Sequence, residues 1–516
     1  MASPNQNLAE SLKVLNKLQK NKGSVFKSLE LPRTHRERLL KNNFIREVIK
    51  GWYIVTNPSE RKGESTLWYS TFWNFCSRYL EDRYKKNWCI SPEQSLIIQS
   101  GSLSVPKQLL IRAPKANNHI TKLPFDTEII NIKSNLPNNG GIILKDGIRM
   151  LSLPIALISC NANFFRKNSM EARIALSMIS DSSEILALLL NEGKHIIAGR
   201  LAGAFRNIGS GQIANNIIKT MQSAGYNISE TDPFADKPDY GFQTRENSPY
   251  VNRIKLMWNA MREPVLSLFP KEPGLPKDRK KYLKNVQEIY LTDAYHSLSI
   301  EGYKVTPELI EKIEKGVWNP ETNEDDKEQK NSMAAKGYWQ SFQKVKISVE
   351  NVLKGKNSGI IAEEGHSDWY RELFSPSVTA GILKPSDLAG YRNSQVFIRN
   401  SSHVPMKPDA VRDAMPILFE LLKNEKESSV RIVLGHFFFV YIHPYMDGNG
   451  RIARFLMNVM LASGGYPWTI IPIEERDNYM QALEKASVER DIKPFTKFLG
   501  RLVKAGLSGK PIAKKI

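Results

Sequence analysis

The chain has 516 residues, 41% apolar and 24% charged, with a formal charge of +20. These proportions are those of an ordinary globular protein, with length for roughly two to four domains, and they exclude a low-complexity chain. Cys76, Cys89 and Cys160 are odd in number and scattered, which argues against a disulfide framework or a zinc site and for a reducing cytoplasm.

No apolar run approaches the roughly 18 residues of a spanning helix, so no membrane partner is expected. Met1 to Glu10 lacks the basic-then-apolar plan of a signal peptide. Residues 1–50 carry eleven Lys or Arg against four acids, a balance that favours an acidic partner such as DNA. Leu8, Leu12, Leu15 and Leu18 fall at helical spacing. A short helix is expected over Ser24 to Leu29, and a third over Arg33 to Lys41. Phe44 to Val55 alternates around Lys50 and Gly51 and reads as a hairpin. Three helices and a hairpin predict a winged helix-turn-helix over 1–75. Its third helix would present Arg33, Thr34, His35, Arg36 and Arg38 to the major groove, with Lys50 on the wing beside phosphate.

Ser91 to Leu96 opens a helix, and Gln108 to Arg112 reads as a strand. On these residues the segment 90–227 resembles the antitoxin-type regulators of abortive-infection systems. The resemblance implies an α/β (α+β) regulatory domain over 76–230 behind the winged helix. Gly199, Gly203, Gly209 and Gly211 follow no dinucleotide-type strand, so close helix packing explains them better than a phosphate loop. Prolines 233, 238 and 249 mark a linker over 231–250. The polar stretch Asn319 to Asn331 reads as a loop or helix start.

Lys280 to Leu298 predicts a helix, and Gly302 is a natural stop after it. Arg431 to Ile442 is apolar enough for a buried helix, and Ile452 to Ala462 is apolar at helical spacing. Between them stand His443, Pro444, Tyr445, Met446, Asp447, Gly448, Asn449, Gly450 and Arg451, with Arg454 one turn later. The loop ends at a helix N-terminus, where bare N–H groups and the dipole favour an anion. Two arginines on one face suit a polyphosphate, one carboxylate suits a phosphate-bound Mg²⁺, and a neutral His443 suits a base.

At these residues the chain resembles the Fic family, whose motif is His-Pro-Phe-x-Asp/Glu-Gly-Asn-Gly-Arg-x-x-Arg; here Tyr445 replaces Phe. The resemblance implies an α-helical Fic domain over 251–516. It implies a protein adenylyltransferase that moves AMP from ATP to a Tyr, Ser or Thr hydroxyl. Carried over position by position, His443 deprotonates the attacking hydroxyl and Asp447 holds Mg²⁺ (or Mn²⁺). Gly448, Asn449, Gly450 and Arg451 line the anion site, and Arg454 holds the γ-phosphate. Ser297, Glu301 and Gly302 fit the family's inhibitory pattern, Ser or Thr, three residues, Glu, then Gly or Asn. That pattern implies a helix over 280–302 whose Glu301 occupies Arg454. Gly390, Tyr391 and Arg392, then Val396, Phe397 and Ile398, resemble the strand entering the target-docking flap, with His403, Val404 and Pro405 inside it. Tyr479 resembles an adenosine-side tyrosine, and a partly buried helix tyrosine explains it equally well. His436 reads as a core histidine.

The expected architecture is therefore multidomain, with a regulatory winged-helix and α/β N-terminal half before a helical catalytic domain. The alternatives are removal of AMP from a modified protein, another nucleotide transfer at the same site, a DNA-binding repressor whose nucleotide site only senses, and a toxin–antitoxin fusion. A homo-oligomer is open.

Overall fold

The computed structural model describes residues 3–58, 64–137, 140–236, 248–316 and 329–514. They divide into two compact units, 1–249 with 397–404, and 250–396 with 405–516. Most of the linker and of the polar stretch 319–331 lies outside the described residues.

In the first unit α1 (Pro4–Lys22) starts on a Ser3–Gln6 capping box. Strand β1 (Val25–Lys27), α2 (Arg33–Lys41), β2 (Ile45–Ile49) and β3 (Trp52–Val55) follow, with strand order β1-β3-β2. The expected second helix is instead β1 and a single 3-10 turn, Ser28–Glu30, because Val25 and Phe26 are buried and pair with Ile54 and Tyr53. The hairpin at Lys50 and Gly51 is present, Gly51 taking φ +81°. Leu15, Phe26, Leu31, Leu39, Ile45 and Tyr53 form a small core beneath.

Three of the residues expected on DNA are bound into this core. His35 Nδ1 meets Ser11 Oγ at 3.0 Å. Arg36 donates to the Ser28 carbonyl at 2.5 Å, and Arg38 to Asn7 O and Ser11 Oγ, both at 2.8 Å. Arg33 pairs with Glu37 at 2.6 Å, and Thr34 and Lys50 are exposed. A guanidinium that holds its own helix in place is a poor reader of base edges, so of the residues expected on DNA only Arg33, Thr34 and Lys50 are without such a bond to the core.

Helix α3 (Thr66–Tyr84) runs across residue 75, where a domain boundary was expected. Its Trp68, Phe72 and Phe75 join Trp52 and strand residues Leu109, Ile111 and Ile129 in one apolar cluster. Strands β4 (Cys89–Ile90), β5 (Gln108–Ala113), β6 (Ile120–Lys122) and β7 (Glu128–Lys133) make a sheet of order β4-β5-β7-β6, with only β5 and β7 parallel. Helix α4 (Pro92–Gln99) lies between β4 and β5, and Ser91 caps it as its sequence predicts. A hairpin, β8 (Ile142–Lys145) and β9 (Ile148–Leu151), leads to six helices: α5 (Leu153–Ser159), α6 (Ala162–Lys167), α7 (Ser169–Ser177), α8 (Ser183–Asn191), α9 (His195–Asn207) and α10 (Gly211–Ser223). A Cβ at Gly199 would stand 2.0 Å from Ser229 O, and one at Gly203 would stand 2.2 Å from Thr231 O. Close packing of α9 against that extended segment therefore accounts for both glycines.

Residues 397–404 pack within this unit. Val105 N–H donates to Ser402 O at 3.3 Å, Asn400 N–H donates to Thr66 Oγ1 at 2.8 Å, and Arg399 pairs with Glu64 at 2.9 Å. No strand forms over 390–406. His403 and Val404 are buried, Val404 among the α3 aromatics, and Pro405 is buried too. The strand expected to enter the flap is therefore not formed, and Val404 is buried with its backbone neighbours bonded within this unit.

The second unit is helical among its described residues: α11 (Pro249–Leu268), α12 (Arg279–Glu288), α13 (Tyr290–Ile300), α14 (Pro307–Glu314), α15 (Gln329–Leu353), α16 (Ser358–Thr379), α17 (Pro408–Asn424), α18 (Ser428–Ile442), α19 (Asn449–Ser463), α20 (Arg476–Glu484) and α21 (Lys493–Leu507). The single helix expected over 280–298 is two, because the chain turns at Ile289 and seats Tyr290 against Trp339 and Phe342. Helix α18 is buried almost all round, as its apolar run predicts, and α19, expected to be apolar at helical spacing, is buried almost all round as well, Arg451, Arg454 and Asn458 included.

Candidate active site

Helix α18 ends on His443, whose backbone is left-handed at φ +55°, ψ 62°. That conformation costs a non-glycine residue about 1 kcal/mol, so neighbours must hold it. Arg392 does so. Its Nε donates to His443 O at 2.8 Å, its N–H donates to Pro444 O at 2.9 Å, and its guanidinium also reaches the carbonyls of Ser394 and Met406. The side chain is buried, which lowers its pKa to about 10. The flap resemblance drew attention to Arg392 without this role; only the fold shows that it ties down the histidine. Arg392→Lys cannot serve the three carbonyls that the guanidinium reaches from one point charge. It is expected to lower kcat about a hundredfold through misplacement of His443, with nucleotide binding kept, as steady-state kinetics would read.

His443 Nδ1 lies 3.1 Å from Val440 O. A carbonyl only accepts, so Nδ1 carries a proton, and in the neutral imidazole Nε2 is then the nitrogen with the lone pair. The imidazole is therefore held as the tautomer that accepts a proton at Nε2.

Tyr445 anchors the loop. It is 1% exposed and stacks on Tyr370 with centroids 3.7 Å apart and planes 4° apart. Asn449 closes the turn by accepting from Tyr445 N–H at 2.9 Å and donating to Tyr445 O at 2.8 Å. Its side chain therefore braces the loop, and what Asn449 can offer an anion is its backbone N–H at the start of the next helix. Gly448 takes φ +81°, and a Cβ there would stand 2.8 Å from Phe374 Cε2, so only glycine fits.

Helix α19 begins at Asn449, and its first N–H groups have no helical partner. The Glu301 carboxylate sits in front of them. A Cβ on Gly450 would stand 2.3 Å from Glu301 Oε1, so glycine there admits the carboxylate. Arg454 Nη2 donates to Glu301 Oε1 at 2.7 Å and to Ser297 O at 3.0 Å, and its Nε donates to Ser297 Oγ at 2.8 Å. Burial opposes the charge on Arg454, but the adjoining Glu301 carboxylate outweighs it and raises the guanidinium pKa. The expected Ser297–Glu301–Arg454 cluster is thus assembled.

Arg451 is 1% exposed, and its Nε and Nη2 lack hydrogen-bond partners. Nη2 stands 3.4 Å from Asp447 Oδ1, an ion pair without hydrogen-bond geometry. Asp447 is 65% exposed at the loop surface and accepts from Gly448 N–H at 2.5 Å. One accessible carboxylate beside two buried guanidinium groups fits a Mg²⁺ whose other ligands are phosphate oxygens and water. No cluster of three or more metal-ligating side chains exists among the described residues.

Helix α13 is held by Asp293, which sequence reading missed. Tyr338 donates to its Oδ2 at 2.6 Å and Trp468 to its Oδ1 at 3.0 Å. Burial pushes its pKa up to about 6.

Tyr479 is buried, and its hydroxyl meets His436 Nε2 at 2.8 Å while His436 Nδ1 meets Ala453 O at 3.0 Å. His436 is a satisfied core histidine as expected, and burial lowers its pKa to about 3. The unfolded chain protonates that imidazole below about pH 6.5 and the folded chain only near 3, so stability falls as pH drops through this window. The pair is expected to cost about 3 kcal/mol between pH 6.5 and 4. Denaturant melts of His436→Leu would show this slope removed, whatever the variant's overall stability.

The sequence profile described as the Fic/DOC family matches residues 366–461. A protein named protein adenylyltransferase Fic from Nematostella vectensis is 29% identical over 253 residues, covering 48% of this chain and 55% of that protein. Its namesake from Drosophila willistoni is 31% identical over 221 residues, covering 41% and 40%. The chain thus spans about half the length of the curated relatives it matches. A solved fragment of Fic-1 from C. elegans aligns with 69% of this chain and 87% of its own at 16% identity, with a TM-score of 0.37.

Proposed function

We propose that the second unit is a protein adenylyltransferase that moves AMP from ATP to a Tyr, Ser or Thr hydroxyl and that Glu301 holds in check. The observation that carries this reading is the site before α19. Bare helix N–H groups, Arg451 and Arg454 converge there, with a histidine lone pair held in the preceding loop. His443 Nε2 takes the proton of the attacking hydroxyl; the oxygen attacks the α-phosphorus and pyrophosphate leaves. Arg451 and the helix N-terminus stabilise charge on the phosphates, and Arg454, once parted from Glu301, holds the γ-phosphate. Asp447 would hold Mg²⁺, which neutralises phosphate charge. No helix among the described residues is long and apolar enough to cross a membrane.

Incubation with ATP labelled at the α-phosphate tests the reading, with wild type, a His443 variant and a Glu301 variant side by side. Protein label that is weak, absent and strong, in that order, is expected. Label that survives loss of the imidazole would reject the assignment of the base. A DNA-binding role for the first unit has narrower support, resting on Arg33, Thr34 and Lys50. A gel shift whose affinity falls with salt by about two counterions, one each for Arg33 and Lys50, is its expected signature, and no shift at low salt would end it.

A further inference from the structure

The turn that follows Glu301 has a defined geometry. Gly302 takes φ +87°, its N–H donates to Ser299 O at 3.0 Å, and Tyr303 N–H donates to Leu298 O at 3.1 Å. These two bonds make a Schellman cap, which fixes the direction of the chain as it leaves the helix. Glu301 and Tyr303 are therefore carried as one rigid end of α13. The Tyr303 ring lies 5.1 Å from the Arg451 guanidinium, and Phe374, from α16, lies 5.1 Å from the same group. Two aromatic faces thus enclose a cation that is 1% exposed and whose Nε and Nη2 make no hydrogen bond of good geometry, and the Tyr303 hydroxyl adds a polar contact to the same guanidinium. Phe374 also packs on Gly448 and belongs to the fixed wall of the loop. Tyr303 belongs to the end of α13.

We propose that Tyr303 is a second determinant of nucleotide binding, acting through Arg451 as Glu301 acts through Arg454. The proposal rests on the reading of the α19 N-terminus as a polyphosphate site. With α13 seated, the carboxylate occupies one guanidinium and the ring covers the other. A β-phosphate reaching for Arg451 must displace the ring, because the donors beneath it have no other opening partner of opposite charge than Asp447, which does not hydrogen-bond them. The ring compensates for part of the cost of burying that charge by cation–π attraction. The plug is thus bipartite, and Glu301 alone does not set the affinity.

The test is calorimetric binding of a non-hydrolysable ATP analogue with Mg²⁺ to the full chain. The variants are Tyr303→Ala, Tyr303→Phe, Glu301→Gly and the double variant Glu301→Gly/Tyr303→Ala. Tyr303→Ala, with Glu301 intact, is expected to bind about threefold to thirtyfold more tightly than wild type, the range of a cation–π contact. Tyr303→Phe keeps the ring and is expected to bind as wild type. The double variant should bind more tightly than Glu301→Gly. Tyr303 is only half-buried, so its replacement spares the core. Should Tyr303→Ala nonetheless melt early, the double variant is replaced by Glu301→Gly/Tyr303→Leu, which keeps apolar bulk without a π face and carries the same expectation. Unchanged or weaker binding by Tyr303→Ala, or tighter binding by Tyr303→Phe, overturns the role of the ring. If Glu301→Gly binds no nucleotide, the failure lies instead in the polyphosphate site itself.

Discussion

Glu301→Gly is expected to raise protein labelling by AMP about tenfold to a hundredfold. The contact it removes is a charge-assisted hydrogen bond of 2.7 Å from a buried Arg454. Such bonds contribute about 1.5–3 kcal/mol, which is the factor just stated when expressed as an equilibrium. The substitution should release Arg454 without disordering it. Ser297 still accepts from Nε and Nη2, at 2.8 and 3.0 Å, so the guanidinium remains at the mouth of α19. It should also clear the space above Gly450 that Oε1 fills. Glu301→Gln, which keeps the shape and drops the charge, should fall between wild type and Glu301→Gly. Quantified label on a generic protein acceptor checks the order; an unchanged rate in Glu301→Gly would mean that the pair does not restrain the site.

Loss of the His443 imidazole should have the opposite sign and be larger. A positioned general base contributes about 10²–10⁴-fold, and here the whole of it acts through one lone pair. The choice of replacement matters, because His443 sits at φ +55°. Asparagine tolerates that region better than alanine, so His443→Asn separates the chemistry from loop strain. In a Glu301→Gly background, His443→Asn is expected to bind nucleotide normally and label at least a hundredfold more slowly. A fall in nucleotide affinity without a fall in kcat would move the histidine from catalysis to binding.

The densest part of the site was legible because its requirements are local. A helix end, two glycines and two arginines at three-residue spacing are features of the local sequence, and residues 443–454 fold as a loop between two helices, as their order predicts. Glu301 was legible only through a resemblance, since a carboxylate at a helix end says nothing about an arginine 153 positions away. The part played by the Asn449 side chain was not legible, because a short amide can face either a ligand or its own loop, and here it bonds the backbone of Tyr445. Arg36 and Arg38 carried the right charge for DNA, but their partners, Ser28, Asn7 and Ser11, are contacts made by folding. The burial of Val404 was not legible for a like reason: only the three-dimensional cluster shows that it is covered. Arg392, Asp293 and Tyr303 act across helices far apart in sequence, where no spacing rule reaches.

The most direct measurement is a crystal structure of Glu301→Gly bound to ATP and Mg²⁺. The triphosphate should lie before the first turn of α19, with Arg454 on its terminal phosphate, Arg451 on the one before it, and His443 Nε2 open toward the α-phosphorus. Nucleotide bound elsewhere, or an α19 N-terminus that holds no phosphate in that variant, would contradict the account at its root.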